Sequence, residues 1–357
     1  MASGFKIGKI FGIDVSIHWT LALLFFISLI PISYGNYLLF LIIILLFICV
    51  FLHELAHSFT AIKNNIPVRE ITLNIIGGAS IIDTTKVKPD TEFRIALVGP
   101  IASIFIGCIF GIFSVLYTYG GTLAYILQIM FEINILLGVF NLIPAFPMDG
   151  GRVLKSYLQK KRTEFNATML TAKISNVVIG LFLLFSFVYT LIITGSILYK
   201  EFEFFILLFI AVFLYGGSEA EKEAAIIKNE CKSLSAFDIM GNDFSIVSPK
   251  MSSSDVYKHA LSKRQDILLI KDKNSFNYID PFKARNYASK TAKDLSSKAI
   301  AVNYKETAFN TLSKLQSNNV GLAVVLKNNK IIGVITTQRI QSFIYLHMLA
   351  NKSKKRI

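Results

Sequence analysis

Charge and cysteine are both scarce in this chain. Only 17% of its 357 residues are Asp, Glu, Lys or Arg, against about a quarter in an ordinary soluble domain. Hydrophobic residues make up 53%, and the mean hydropathy is +0.55. An average soluble globule is excluded. Three cysteines, Cys49, Cys108 and Cys231, fall at no paired spacing, which excludes a disulfide framework and a cysteine-based zinc site. Cys49 and Cys108 lie in apolar runs and read as core residues. There is no Arg-rich helix and no stacked-aromatic pattern, so the net charge of +14 does not describe a nucleic-acid surface. Residues 1–14 do not read as a cleavable signal, because the apolar run behind them is too long and lacks a small-residue cleavage site.

The charge that is present falls unevenly. Residues 1–218 carry 14 Lys/Arg and 11 Asp/Glu, whereas residues 219–357 carry 23 and 12. This divides the chain into a near-neutral, membrane-like part (1–218), a linker (219–232) and a basic soluble tail (233–357) suited to an anionic leaflet. A spanning helix needs about 20 mostly apolar residues. Six stretches qualify: residues 15–36, 37–60, 93–119, 122–143, 170–199 and, rather short, 202–217. Pro31 and the Ser33-Tyr34-Gly35-Asn36 turn signal break the first. With six crossings, 13 Lys/Arg of the flanking segments share one side and only Lys200 lies on the other. The asymmetry places the protein in the cell membrane with both termini and the tail in the cytoplasm.

Between the second and third stretches, two β-branched runs flank Gly77-Gly78 within residues 71–82, which reads as a hairpin. Such backbone is tolerated at membrane depth only when it is covered by protein or lines a cavity. The tail holds a weak repeat: Ile246-Val247 matches Ala301-Val302, Leu268 matches Ala323, and Tyr278-Ile279 matches Val334-Ile335. Each copy reads strand, helix, strand, strand, helix, so the tail is expected to be two α/β modules sharing a core. The expected fold is a polytopic α-helical membrane protein of six transmembrane helices, with a membrane-associated β-hairpin and a soluble α/β tail.

Residues 53–57 read His-Glu-Leu-Ala-His at the cytoplasmic end of the second stretch. Four residues apart, His53 and His57 share a helix face with an offset of about 6 Å along the axis. That spacing lets both imidazoles reach one Zn²⁺, with Glu54 beside them to take a proton from bound water. Three ionisable groups in one turn of an apolar membrane helix read as functional. A catalytic zinc needs another protein ligand. Of the remaining histidines, His259 and His347 lie in the tail, and His18 beside Trp19 reads as an interfacial anchor. A carboxylate is therefore indicated, and Asp149 stands out. It sits in Asn-Leu-Ile-Pro-Ala-Phe-Pro-Met-Asp-Gly-Gly-Arg (residues 141–152), where prolines end a helix and glycines allow unusual backbone. Because the second and fourth helices run in the same direction, Asp149 falls at the depth of the His pair. Glu132 and Asn134, inside the fourth stretch, receive no role.

HELAH in a membrane helix, followed by NLIPAFPMDGGR, resembles the site-2 protease family of intramembrane zinc metalloproteases (peptidase family M50). The segment at 93–107, with Arg94-Ile95-Ala96-Leu97-Val98-Gly99-Pro100, resembles that family's third helix. The whole layout resembles its prokaryotic branch, which ends in paired cystathionine-β-synthase (CBS) modules. The resemblance implies one Zn²⁺ per chain held by His53, His57 and Asp149, with Glu54 as general base. It implies that Asn141 holds substrate or the developing oxyanion, and that the hairpin at Gly77 and Gly78 offers an edge strand to an unwound substrate helix. The implied substrates are single-pass or membrane-anchored proteins cut within the lipid bilayer, in regulated intramembrane proteolysis. CBS modules imply a homodimer and an adenosine-nucleotide site built on Gly-x-x-Ser/Thr-x-x-Asp. Here Arg339 and Lys283 stand where that Asp is expected, so a dimerising or substrate-gating tail is an equal reading.

Three other classes fit the sequence less well. A metal transporter needs polar residues continuing across the bilayer, whereas these concentrate at one depth. An inactive scaffold is at odds with the intact His-Glu-His-Asp set. A prenyl-protein-processing protease takes Glu as its third ligand, which the residues around Asp149 disfavour.

Overall fold

The computed structural model describes residues 4–30, 37–75, 77–82, 87–117, 120–192, 197–271, 275–285, 287 and 290–354. Two compact units emerge, residues 1–223 and 224–357.

The first unit opens with a feature that hydropathy conceals. Strand β1 (Gly4–Ile10) pairs antiparallel with β2 (Ile13–His18) across a tight turn at Phe11 and Gly12, both with positive φ. Such a two-residue turn matches the twist of the strands it joins. In β2, apolar Ile13, Val15 and Ile17 alternate with Asp14, Ser16 and His18. This period-two pattern buries Ile13 and Val15. Residues 15–36 are therefore not one spanning helix. Their first four residues belong to β2, and helix α1 (Trp19–Ser28) begins only where His18 accepts a hydrogen bond from the Thr20 N–H. Residues 31–36, with Pro31 and its turn signal, lie outside the described residues. The His18 and Trp19 rings lie with centroids 5.6 Å apart, tilted by 41°.

Helix α2 (Leu38–Lys63) leads to β3 (Val68–Asn74) and β4 (Gly77–Ile82), the hairpin expected around Gly77-Gly78. The hairpin does not stand alone: β3 runs parallel to β2, giving a four-stranded sheet in the order β1-β2-β3-β4 with β4 at an edge. There follow α3 (Pro89–Leu116), α4 (Gly121–Asn141), α5 (Asp149–Leu158), α6 (Glu164–Ile192) and α7 (Ile197–Ser233). Among the described residues five helices are long and apolar enough to cross a membrane: α2, α3, α4, α6 and Phe202–Ser233 of α7. The chain is a multi-pass membrane protein. At ten residues, α1 reaches only about 15 Å, half the hydrocarbon thickness. The stretch expected at 202–217 is part of a much longer helix, and residues 219–232 continue it without a break.

Helix α3 buries Ala96, Gly99, Pro100, Ser103 and Gly107. This stripe of small residues recurs every three to four positions, so neighbouring backbones approach closely. It packs against both α2 and α4.

The second unit contains α8 (Ala236–Ile239), β5 (Phe244–Ile246), α9 (Ser253–Lys263), β6 (Ile267–Lys271), β7 (Phe276–Ile279) and α10 (Pro281–Ala284). After these come β8 (Ser297–Asn303), α11 (Ala308–Ser317), β9 (Leu322–Lys327), β10 (Lys330–Thr336) and α12 (Thr337–Lys354). The two copies share one six-stranded sheet, β10-β9-β8-β7-β6-β5. The residues that carry the sequence repeat do the same work in each: Val247 and Val302, Leu268 and Ala323, and Ile279 and Ile335 are all buried. Arg339 donates to the backbone carbonyls of Ile239 (3.0 Å) and Met240 (3.3 Å). It therefore closes the end of α8. The Lys283 side chain lies outside the described residues.

Candidate active site

His53 and His57 face inward near the C-terminal end of α2, both buried. Helix α3 orients each ring through its Nδ1. His53 Nδ1 lies 2.8 Å from Ser103 Oγ, and His57 Nδ1 lies 2.6 Å from the Ile95 carbonyl oxygen. A carbonyl can only accept, so His57 Nδ1 carries a proton and the neutral ring presents a bare Nε2.

Asp149 arrives from the other direction, in the first turn of α5 beyond the proline-rich bend that ends α4. Its Oδ2 lies 3.1 Å from His53 Nε2 and 3.1 Å from His57 Nε2, and the two Nε2 atoms are themselves 3.1 Å apart.

Three ligand atoms thus converge, two from one stretch of α2 and the third from α5, more than ninety residues further along the chain. Tetrahedral zinc with ligands about 2.0–2.2 Å away separates them by roughly 3.3 Å, close to the triangle observed. Nδ1 atoms committed to α3 and Nε2 atoms turned on one carboxylate oxygen form an electron-rich set that suits a divalent cation. The residues fit zinc.

Glu54, half-buried beside the pair, meets Ser80 of β4, whose Oγ is 2.6 Å from Glu54 Oε2. A cavity of about 410 Å³ brings these groups together with Gly77, Gly78 and Asn141. Asn141, the last residue of α4, donates its Nδ2 to the Leu137 carbonyl at 2.9 Å. Glu132 stands apart on the exposed side of α4. It accepts from Gln128 Nε2 at 2.7 Å, and Ser114 Oγ donates to Gln128 Oε1 at 3.2 Å. Asn134 is buried and returns its Nδ2 to the Met130 carbonyl at 2.7 Å. His347 pairs with Glu230 at 2.9 Å.

Sequence reasoning missed the supports of these groups. Ser103, the Ile95 carbonyl and Ser80 are invisible in a single chain, because nothing marks which serine will face a histidine. Gly99 was visible only as part of the Arg94–Pro100 segment, and the structure gives its reason. A Cβ there would overlap His57 Nε2 and lie 2.8 Å from His53 Nε2. Gly99→Ala is accordingly expected to part α3 from the imidazoles and weaken metal affinity about ten- to a hundred-fold. Elemental analysis of the purified chain against zinc-buffered solutions checks this.

The profile of peptidase family M50 matches residues 41–124 and 118–187. A zinc metalloprotease of Methanocaldococcus jannaschii is 35% identical over 252 residues, covering 69% of each chain. The chain belongs to peptidase family M50. Among solved structures, a site-2 protease from Methanocaldococcus jannaschii is 34% identical. It covers 61% of this chain and 95% of its own, with a TM-score of 0.46. A hemolysin-like protein of Oenococcus oeni containing a CBS domain is 14% identical and covers 32% of this chain and 93% of its own, with a TM-score of 0.29.

Proposed function

We propose that this peptidase is an intramembrane zinc metalloprotease acting on single-pass or membrane-anchored proteins. The observation that carries the reading is the convergence of His53, His57 and Asp149 beside Glu54, in a cavity walled by an edge strand. His53 Nε2, His57 Nε2 and an Asp149 oxygen would hold one Zn²⁺ per chain. Bound there, the ion would supply Lewis acidity to a water molecule and to the scissile carbonyl.

The chain's own residues then divide the work of hydrolysis. Glu54 takes a proton from the water whose oxygen attacks the carbonyl carbon. As the carbon–nitrogen bond breaks, Glu54 passes that proton to the departing amine. Asn141 holds the substrate backbone or the developing oxyanion. A substrate helix hides its carbonyls in its own hydrogen bonds, so it must unwind to be cut. Edge strand β4, at Gly77 and Gly78, replaces the lost bonds by strand addition.

In this reading six crossings, α1 belonging to the first, place both termini in the cytoplasm. The tail is a tandem CBS-like domain that dimerises or gates substrate. Arg339, committed to the carbonyls of Ile239 and Met240, leaves no acidic partner for a ribose at that position.

The test compares membrane-protein fragments in source cells carrying the wild-type chain or Glu54→Gln. Intact or pre-trimmed single-pass proteins are expected to accumulate only with the variant. Matching profiles under several stresses, with zinc still bound, would sink the proposal.

A further inference from the structure

The metal-binding pair and the base are steadied by different elements. His53 and His57 are oriented from α3, through Ser103 and the Ile95 carbonyl. Glu54 is contacted from the sheet. Ser80 and Gly78, two residues apart on β4, lie on the same face of the strand, and both touch this one side chain. Ser58, fully buried on α2, donates to Ser80 Oγ at 3.2 Å. That leaves the single Ser80 proton for Glu54 Oε2, 2.6 Å away. At Gly78 the strand backbone comes so near that a Cβ would sit 3.0 Å from Glu54 Cδ and 3.2 Å from Oε1. One strand thus clamps the carboxylate by a hydrogen bond at Ser80 and by close backbone contact at Gly78. It is also the strand that stands at the sheet edge.

We propose that Ser80 is a positioning residue that ties edge strand β4 to the Glu54 carboxylate, so that the strand receiving substrate also aims the base. The inference rests on the protease reading above, in which substrate adds to β4 and Glu54 moves the proton. A glutamate has several freely rotating side-chain bonds, and fixing them has an entropic cost that must be met by specific contacts. The Ser58–Ser80–Glu54 chain supplies those contacts before substrate arrives. Because the imidazoles are held from α3 and by Asp149 of α5, loss of the Ser80 hydroxyl should disturb the base and leave the metal-binding pair in place.

The test uses the full chain in bilayer nanodiscs. The probe is a fluorescence-quenched peptide forming one apolar helix of about 20 residues with an Asn-Pro break at its centre. Ser80→Ala is expected to lower kcat about ten-fold, with KM and zinc content unchanged. Ser80→Thr, which keeps the hydroxyl on a side chain suited to a strand, should restore most of the rate. Three results would overturn the inference: an unchanged kcat in Ser80→Ala, a loss confined to KM, or a Ser80→Thr chain as slow as Ser80→Ala. Failure of the underlying reading looks different, because wild-type and Glu54→Gln chains would then process the probe equally.

Discussion

Replacing Glu54 by Gln is expected to slow cleavage by about a thousand-fold or more while zinc stays bound at the wild-type level. The amide has nearly the shape of the carboxylate, and its oxygen can still accept the Ser80 hydrogen bond made at 2.6 Å. It cannot take up a proton, however, and a positioned general base is worth about 10²–10⁴ in rate. The cluster of His53, His57 and Asp149 does not include Glu54, so metal affinity should survive. Zinc analysis of the purified chain, alongside single-turnover cleavage in bilayer nanodiscs, checks both halves. Retained cleavage would remove Glu54 from the role of base, whereas lost zinc would make it a ligand.

Asp149→Ala should do the converse. It leaves two imidazole nitrogens 3.1 Å apart with no anionic partner, one protein ligand short of the usual catalytic zinc site. Zinc content is expected to fall to near zero, and cleavage with it, at concentrations that saturate the wild-type chain. The fold should persist. Asp149 opens α5, where a carboxylate is worth about 0.3–1 kcal/mol against the helix dipole, a small part of the stability of a helical bundle. Thermal unfolding in detergent, measured with zinc content, separates ligand loss from unfolding. Full zinc occupancy in a folded Asp149→Ala chain would refute the ligand role.

The groups behind these two predictions were legible in the sequence for a physical reason. Ionisable side chains in an apolar helix are costly, so their presence at residues 53, 54 and 57 is informative without neighbours. Proline and glycine around Asp149 mark a bend that can turn a carboxylate back toward the helices. The tail repeat was legible because each copy must bury the same positions, as Val247 and Val302 do.

Other parts could not be read this way. A hydropathy window averages over the alternation of residues 13–18, so a strand that buries Ile13 and Val15 looked like the start of a membrane helix. Only its pairing with β1 and β3, the latter more than fifty residues away, decides between the two.

The sequence by itself determined the class of this protein, its membrane-crossing segments in outline and the side chains that meet at the candidate site. These follow from local properties: apolar length, helical spacing and the cost of burying charge. Only the tertiary structure decided that β1 and β2 extend the hairpin into a four-stranded sheet. Only the fold shows Gly99 admitting both imidazoles, Ser103 and the Ile95 carbonyl turning them, and Ser80 reaching Glu54. Those are contacts between elements distant in the chain. They depend on how closely backbones approach after packing, which no local pattern of residues encodes.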